Sequence, residues 1–240
     1  MSEDEQATIP DFSELIDDYL RREPSAYTLG VYYPSEIGLC TRMVYYKRLL
    51  PKAIEREKLR LFKSADLAHE FIRDVLASST KVQLLAWEKP FSIICDDLEI
   101  SGRFDDVILV RLPRREFPVV VEVKTVSGKT VEHIRTPSTP HLYQIHPYMR
   151  ALRADMAILL YLARDTFADV WFSVFYDKGI MAEAVERVRR LHRCLANREL
   201  PPAESKCRKD LIPCYYCPWW RECREEYNPA SDENERKRNA

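Results

Sequence analysis

The sequence predicts an α/β fold, because strand-like and helix-like hydrophobic patterns alternate along the chain. The stretch VVVEVKT at 119–125 is rich in β-branched residues, as buried strands are. In contrast, LFKSADLAHEFIRDVLAS at 61–78 places apolar side chains three and four positions apart, which is typical of one helix face. A chain of 240 residues with 46% hydrophobic and 31% charged residues can bury one sizeable core with a small appendage.

The predicted elements run as follows. A short helix is expected over 11–22 and a basic helical segment over 35–63. The next helix carries an inward stripe made of Ala65, Ala68, His69, Ile72 and Leu76. Strands are predicted at 87–95, 98–110, 118–126, 156–163 and 168–176, with further helices at about 139–153 and 180–198. This order favours a sheet with helices packed against it.

No segment of the sequence predicts membrane insertion. The opening MSEDEQATIP is acidic and lacks an apolar signal-peptide core, and the longest apolar run, MAILLYLA at 156–163, is far too short to cross a bilayer. A cytoplasmic location is therefore expected. The 7 cysteines form an odd count without a signal peptide, which argues against a secreted disulfide framework and favours metal binding or ordinary buried thiols.

The net charge of -1 conceals a segregation of charge along the chain. Residues 1–23 are strongly acidic, whereas residues 42–63 are strongly basic. The basic segment has two interpretations: a solvated helix face, or a DNA-binding patch in which Arg42, Lys47 and Arg48 contact phosphates. Tyrosines at 45 and 46 would then be available for base stacking.

The charged residues within the 119–125 strand define a candidate site. Strand side chains alternate, so Glu122 and Lys124 share a face with Val120, as a structural ion pair or as part of a site. If 101–111 and 118–126 form an antiparallel hairpin centred near residue 114, Asp105 lies opposite residue 122 or 123. The two carboxylates could then share a divalent cation, with His69 as a nitrogen ligand and Lys124 neutralising phosphate charge or orienting water.

These residues carry a family resemblance. Asp105 followed by Glu122-Val123-Lys124 resembles the core of the PD-(D/E)XK nucleases. His69, the GRFD turn at 102–105, and the QIHPY motif with Gln144 and Tyr148 add features of the RecB-like branch. Within that branch the chain is most similar to the Cas-four-type CRISPR-associated exonucleases, through one cysteine before the core, in GLCTRMVYY, and three after it, in CYYCPWWREC. The resemblance covers roughly residues 35–225.

The resemblance implies a restriction-endonuclease-like core in which Asp105, Glu122 and His69 bind Mg2+ or Mn2+. Lys124, Gln144 and Tyr148 would be the catalytic groups beside the metal. The implied activity is cleavage of single-stranded DNA from an end, commonly 5′ to 3′, to trim new CRISPR spacers with the Cas-one and Cas-two integrase proteins.

Two other functions remain open. A viral or housekeeping recombination and repair nuclease would carry the same motifs. The alternative from another class is a non-catalytic DNA-binding iron-sulfur scaffold, against which the clustered carboxylates argue, because they repel phosphate.

The cysteine end forms a second candidate site. Cys214-x2-Cys217-x5-Cys223 places three thiolates close together and leaves a fourth ligand to be supplied. Cys207 is nearer in sequence, whereas the resemblance favours Cys40, which would connect the two ends of the chain. By resemblance the group is a [4Fe-4S] cluster, with [2Fe-2S] or Zn2+ as alternatives. The cysteines at 95 and 194 are expected to be core thiols.

The expected domain organisation has four parts. These are an N-terminal helical segment at 1–60 with Cys40 and the basic patch, a nuclease core at 61–200, an iron-sulfur region at 201–227 and a disordered tail at 228–240.

Overall fold

The structure, a computed structural model, describes residues 11–23, 26–204 and 214–225. The helices are α1 Phe12–Leu20, α2 Pro34–Ile37, α3 Thr41–Leu49, α4 Arg56–Ser78, α5 Gly128–Val131, α6 Thr139–Leu152, α7 Lys178–Asn197 and α8 Trp220–Glu225, with a 3-10 turn at Cys214–Tyr216. The strands are β1 Val31–Tyr32, β2 Gln83–Trp87, β3 Pro90–Cys95, β4 Leu98–Arg103, β5 Asp106–Leu112, β6 Arg115–Val126, β7 Met156–Ala163 and β8 Asp169–Phe175. The α/β class predicted from the sequence is confirmed. In the described ranges no helix is long and apolar enough to span a bilayer.

The strands form two sheets. A 5-stranded sheet has the order β2-β5-β6-β7-β8, and a 3-stranded sheet has the order β1-β4-β3. The β5–β6 hairpin runs from the pair Asp106–Val121 to the pair Leu112–Arg115, which confirms the predicted register. Strands β6 and β7 are parallel and are connected through α5 and α6. This crossover brings α6 back onto the sheet beside β6.

Helices α4 and α6 cover opposite faces of the larger sheet. Val119, Val121 and Val123 pack with Ile72 and other side chains of α4. Val120 lies in a separate cluster with residues of α6. The alternation predicted for the 119–125 strand is therefore confirmed, and its two charged residues lie on the α6 side.

A close approach fixes the beginning of α6. A Cβ atom at Gly38, just after α2, would lie 2.4 Å from the backbone of Pro140. Only glycine allows this contact without a shift of the backbone. The first turn of α6 is therefore held against α2, which positions the helix that supplies Gln144.

A third cluster joins the N-terminal segment to the C-terminal end. Tyr32, Val44 and Tyr45 pack in one core with side chains of α7 and with Cys217 and Trp219. The indole N–H of Trp219 also donates to the carbonyl oxygen of Leu50 at 2.9 Å. Residues 214–225 are thus packed against α3, although about 170 residues separate them in sequence.

Three predicted elements need correction. The strand expected at 98–110 is two strands, β4 and β5, which belong to different sheets and are separated at Phe104 and Asp105. The strand expected at 87–95 begins as β3 at Pro90, after a break at Glu88, whose φ is +43°. The helical segment 35–63 consists of α2, α3 and the start of α4, because the residue before Pro51 disfavours helical backbone.

The predicted tail at 228–240 and Cys207 lie outside the described residues. The predicted division into domains stays a prediction.

Candidate active site

The break between β4 and β5 opens a cleft at the edge of the larger sheet. Its walls include His69 from α4, Asp105 from the break and Tyr148 from α6. Phe104 anchors the break, because its buried ring lies 4.8 Å from the Phe91 ring and 5.7 Å from the Tyr148 ring, measured between centroids. With Phe104 turned into the core, Asp105 is directed to the cleft.

Asp105 connects the strand β6 to the helix α4. Its Oδ2 accepts a hydrogen bond from the backbone N–H of Val123 at 3.0 Å and lies 3.4 Å from Nδ1 of His69. Burial raises the pKa of Asp105 to about 6, although the bond from Val123 and the nearby Lys124 charge lower it. Burial lowers the pKa of His69, so its ring is neutral near pH 7 and has a nitrogen lone pair available.

Glu122 is the most buried charged group of the site. Its side chain is 2% exposed, and Oε1 accepts bonds from Nζ of Lys124 and from Nε2 of Gln144, both at 2.6 Å. The other oxygen, Oε2, is buried without a hydrogen-bond partner among the described residues. Burial, followed by the nearby Asp105 charge, raises the pKa of Glu122 to about 7 against the opposing effect of Lys124. An unpartnered buried carboxylate oxygen is costly unless something binds it.

Gln144 holds the lysine and the glutamate together. Its Oε1 accepts from Nζ of Lys124 at 2.8 Å, while its Nε2 donates to Glu122 and to the hydroxyl of Tyr148, the latter at 3.2 Å. Gln144 and Tyr148 lie one turn apart on α6, so one helix face supplies both groups. The structure therefore brings together all six residues predicted for the catalytic and metal sites, namely His69, Asp105, Glu122, Lys124, Gln144 and Tyr148.

The donor set of the cleft fits a divalent cation. In the part of the chain that the structure describes, no three His, Cys, Asp or Glu side chains are arranged to hold a metal as they stand. The site nevertheless offers two carboxylates with raised pKa values, a neutral imidazole and the unpartnered Oε2 of Glu122. Oxygen ligands suit Mg2+ and Mn2+, and the imidazole suits Mn2+.

Sequence reasoning missed a second acid beside the first. Asp106 is fully buried and points to the α4 side, where its Oδ1 lies 3.8 Å from Nε of Arg73. Burial raises its pKa to about 6. Strand alternation is the signal that separates the two neighbours, because only one of Asp105 and Asp106 can face the cleft.

Sequence reasoning also missed His141. Its Nδ1 lies 2.9 Å from the hydroxyl of Tyr161, which also accepts from the backbone N–H of Ser138. Burial and the charge of Lys124 lower the pKa of His141 to about 4, so the ring is neutral. The sequence could have indicated His141, because it lies three residues before Gln144 and therefore on the same face of α6.

The three residues predicted to bind DNA are bonded to protein atoms. Arg42 donates to the carbonyl oxygen of Pro201 at 2.6 Å, and Lys47 donates to Glu36 at 3.0 Å. The side chain of Arg48 is 3% exposed and forms an ion pair of 2.6 Å with Glu36. Their role in DNA binding stays a prediction. The bases that line the cleft itself are Arg22, Lys63 and Arg103.

The predicted cluster cysteines lie near one another. Burial raises the pKa of Cys217 to about 11, and charges at Cys40, Cys214 and Cys223 act in the same direction. An Nη1 atom of Arg42 lies 3.6 Å from Sγ of Cys223. None of the described cysteines forms a disulfide. The donor set fits a cysteine-ligated metal group, although the thiols are not arranged to hold one as they stand.

A mixed α/β core that joins two acids, a lysine and a helical histidine in one cleft defines the class of metal-dependent nucleases. A family model of the PD-(D/E)XK nuclease superfamily matches residues 33–224, and the chain belongs to this superfamily. Nucleases of this superfamily generally use divalent metals such as Mg2+ or Mn2+. The predicted resemblance is confirmed at this level, whereas membership of the Cas-four-type branch stays a prediction.

A solved structure shares the fold. The crystal structure of SSO0001 has a TM-score of 0.60 and 18% sequence identity, and the match covers 90% of this chain and 97% of that chain. The alkaline exonuclease LHK-Exo from Laribacter hongkongensis has a TM-score of 0.46 and 13% identity, covering 71% of this chain and 90% of that one. Its complex with dAMP has a TM-score of 0.45, the same identity of 13% and the same coverage of 71% and 90%. No curated protein matches the chain significantly in sequence.

Proposed function

We propose that the chain is a Mg2+- or Mn2+-dependent deoxyribonuclease that hydrolyses phosphodiester bonds. One observation carries this proposal: Glu122, buried in the sheet, holds Lys124 and Gln144 through one oxygen and leaves the other oxygen unpartnered. An unpaired buried acceptor costs about 1–3 kcal/mol, so a cation bound at this oxygen would offset that cost.

Each side chain has a distinct role in this proposal. Asp105, Glu122 and His69 would hold the cation, which when bound supplies positive charge that polarises a phosphate and acidifies a water molecule. Gln144 fixes Lys124, so that the ammonium is held at one position before substrate arrives. The hydroxyl of Tyr148 accepts a bond from Gln144 and completes the rigid support.

Lys124 would act on the phosphate. Its side chain is 19% exposed, so it can contact a substrate in the cleft while remaining bonded to Glu122 and Gln144. In the transition state of hydrolysis the phosphate gains negative charge, which a fixed ammonium stabilises more strongly than it stabilises the ground state. The bases on the cleft wall, Lys63 and Arg103, would bind flanking phosphates.

Within this function, we expect action on single-stranded DNA from an end, 5′ to 3′. The support for this specificity is the sequence resemblance to the Cas-four-type exonucleases. The same resemblance supports a role in trimming CRISPR spacers with the Cas-one and Cas-two integrase proteins, in the cytoplasm. A viral or housekeeping recombination nuclease would use the same cleft, and the neighbouring genes would distinguish the two.

We further propose a [4Fe-4S] cluster held by Cys40, Cys214, Cys217 and Cys223. The support is the cysteine pattern, the proximity of Cys40 to Cys217 and Cys223, and the proximity of Cys214 to Cys217. When bound, the cluster would cross-link α3 to the C-terminal end, which already share a hydrophobic core. Because [2Fe-2S] and Zn2+ also take thiolates, iron and sulfide analysis after anaerobic purification is required to identify the group.

The nuclease proposal is tested with Asp105→Ala and Glu122→Ala. Both should abolish cleavage of labelled DNA and retain DNA binding, because each removes a metal ligand and a negative charge but no phosphate contact. Asp66→Ala is the matched control, since Asp66 lines the same cleft and lies outside the proposed ligand set. Full activity of either ligand variant would overturn the proposal and favour the non-catalytic scaffold.

Substrate specificity requires a separate assay. Linear single-stranded DNA labelled at the 5′ or the 3′ end reports polarity, and circular single-stranded DNA reports endonuclease activity. A 5′ to 3′ exonuclease should release the 5′ label first and leave the circle intact.

A further inference from the structure

Strand β8 forms an open edge of the larger sheet. In the described part of the chain it pairs with β7 alone. Two of its aromatic side chains are largely exposed, Trp171 by 58% and Phe175 by 69%. Open edges are usually blunted by lysine, proline or a bulge, and the sequence of β8, DVWFSVF, contains neither lysine nor proline.

The backbone hydrogen bonds at both ends of β8 show which of its groups face outward. The N–H of Ala163 donates to the carbonyl of Ala168 at 2.8 Å, and that of Tyr176 donates to Asp155 at 2.9 Å. In an antiparallel pair, only every second residue of a strand forms backbone hydrogen bonds with the neighbouring strand. The even-numbered residues of β8 therefore bond to β7. The N–H and C=O groups of the odd-numbered residues of β8 point to the open edge.

Two of these odd-numbered residues, Trp171 and Phe175, carry large apolar side chains on the same face of the sheet, and the other two, Asp169 and Ser173, are polar. Trp171 lies opposite Leu160, and Phe175 lies opposite Met156, on strand β7. These β7 residues are only partly buried, and among the described residues α4 contacts the sheet mainly at β2 and β6. We call Met156, Leu160, Trp171 and Phe175 the outer face of β7 and β8.

We propose that the β8 edge binds the β8 edge of a second copy of this chain, in antiparallel orientation. The register that pairs all of Asp169–Phe175 places Phe172 on the two-fold axis and sets Trp171 opposite Ser173 of the other copy. In this register the outward groups of the odd-numbered residues face each other. They would form about eight hydrogen bonds across the axis and join the two sheets into one.

Self-association fits the chemistry of this edge better than a charged partner does. The only charged residue of β8 is Asp169, which lies at its end and away from the axis. Trp171 and Phe175 together offer roughly 250 Å2 of exposed surface per copy, since an aromatic side chain carries about 150–250 Å2. With the strand backbone and the partly buried β7 residues, the interface approaches the lower end of specific interfaces, about 1,200 Å2 in total. Interfaces at this end of the range are typical of weak complexes, so a dimer that depends on protein concentration is expected.

Sedimentation equilibrium of the full chain between about 1 and 100 µM tests the proposal. The wild-type chain should pass from monomer to dimer in this range. Ser173→Pro should weaken dimerisation by about tenfold or more, because it removes one outward N–H and leaves the β7 ladder intact. Ser173→Ala, which keeps the N–H, is the matched control and should dimerise as wild type does.

A second pair of variants guards against misfolding of the proline variant. Trp171→Lys should also prevent dimerisation, whereas Trp87→Lys should not, because Trp87 is similarly exposed, by 55%, but lies on the opposite edge strand. A wild-type chain that stays monomeric at 100 µM overturns the proposal. A dimer that survives both Ser173→Pro and Trp171→Lys overturns it equally.

Discussion

The cleft and the cysteine end are held in place by different means. In the cleft, the sheet register fixes Glu122 and Lys124, and short hydrogen bonds from Gln144 lock their side chains. At the cysteine end, the described residues are a 3-10 turn and one helix of 6 residues, attached mainly through side chains such as that of Trp219. The difference indicates that the cleft is organised by the sheet, whereas the cysteine end is held by side-chain packing against α3.

The largest expected effect concerns the cleft. Lys124→Ala should lower kcat by about 10²–10³-fold, because a fixed charge that stabilises the transition state is lost. Metal affinity, measured by calorimetry, should be retained, since the ligands remain, whereas the thermal midpoint should fall, because Glu122 loses its charged partner. Loss of metal binding in this variant would contradict the role assigned to Lys124.

The second effect concerns the cysteine end. Cys40→Ser should remove iron, bleach visible absorption and lower the free energy of unfolding by several kcal/mol, because binding energy of the cluster contributes to folding. The N-terminal segment should then become sensitive to limited proteolysis.

Cys207→Ser is the matched control and should retain its iron. If instead Cys207→Ser loses iron while Cys40→Ser keeps its full iron content, all ligands of the metal group come from the C-terminal segment, and the group does not connect the two ends of the chain.

The third effect is a pH dependence confined to the cleft. The pKa of Glu122 is about 7 in the folded protein, above its ordinary value of 4.5, so the fold favours the protonated form. The resulting stability is present below pH 4.5 and is lost as the pH rises to 7, at about 1.4 kcal/mol per pH unit.

Glu122→Gln isolates this contribution. Unfolding free energies of wild type and Glu122→Gln are measured by denaturant titration in the presence of a chelator. Relative to the variant, wild type should become steadily less stable as the pH rises from 4.5 to 7. A difference that does not vary with pH would show that the carboxyl group is not raised in pKa by the fold.

The smallest expected effect concerns the salt dependence of DNA binding, and it distinguishes the basic residues of the cleft from those near the cysteine end. Lys63→Gln, on the cleft wall, should reduce the slope of log K against log salt for DNA binding by about one. Arg42→Gln, beside Cys223, should leave that slope unchanged. Equal losses of slope would return Arg42 to the DNA-binding patch predicted from the sequence.

The sequence predicted the cleft better than its surroundings. Strand alternation and hairpin register place Asp105, Glu122 and Lys124 together, since both follow from local spacing. The strand pattern ran through Phe104 although the family resemblance included a turn at 102–105, because an apolar run can continue as a strand or bend into a second sheet. Only tertiary packing of Phe104 against Phe91 and Tyr148 selects the bend.

The basic patch shows a different limit of sequence reasoning. Charge density predicts an electrostatic surface, yet Arg48 is buried against Glu36 and beneath the Tyr32 ring, 4.6 Å from its centroid. Glu36 is 12 residues away and lies on a different helix, α2, so the pairing with Arg48 on α3 could not be derived from spacing.

The shared core of the two chain ends has a consequence for synthesis on the ribosome. Arg187 of α7 bonds to the carbonyl oxygen of Ile37, which precedes it by 150 residues. At translation rates of about 5–20 residues per second, Ile37 and Val44 are synthesised roughly 8–30 s before their partners on α7. The sheet at 83–175 can form during this interval, whereas the N-terminal segment remains exposed to chaperones and proteases until α7 has been made.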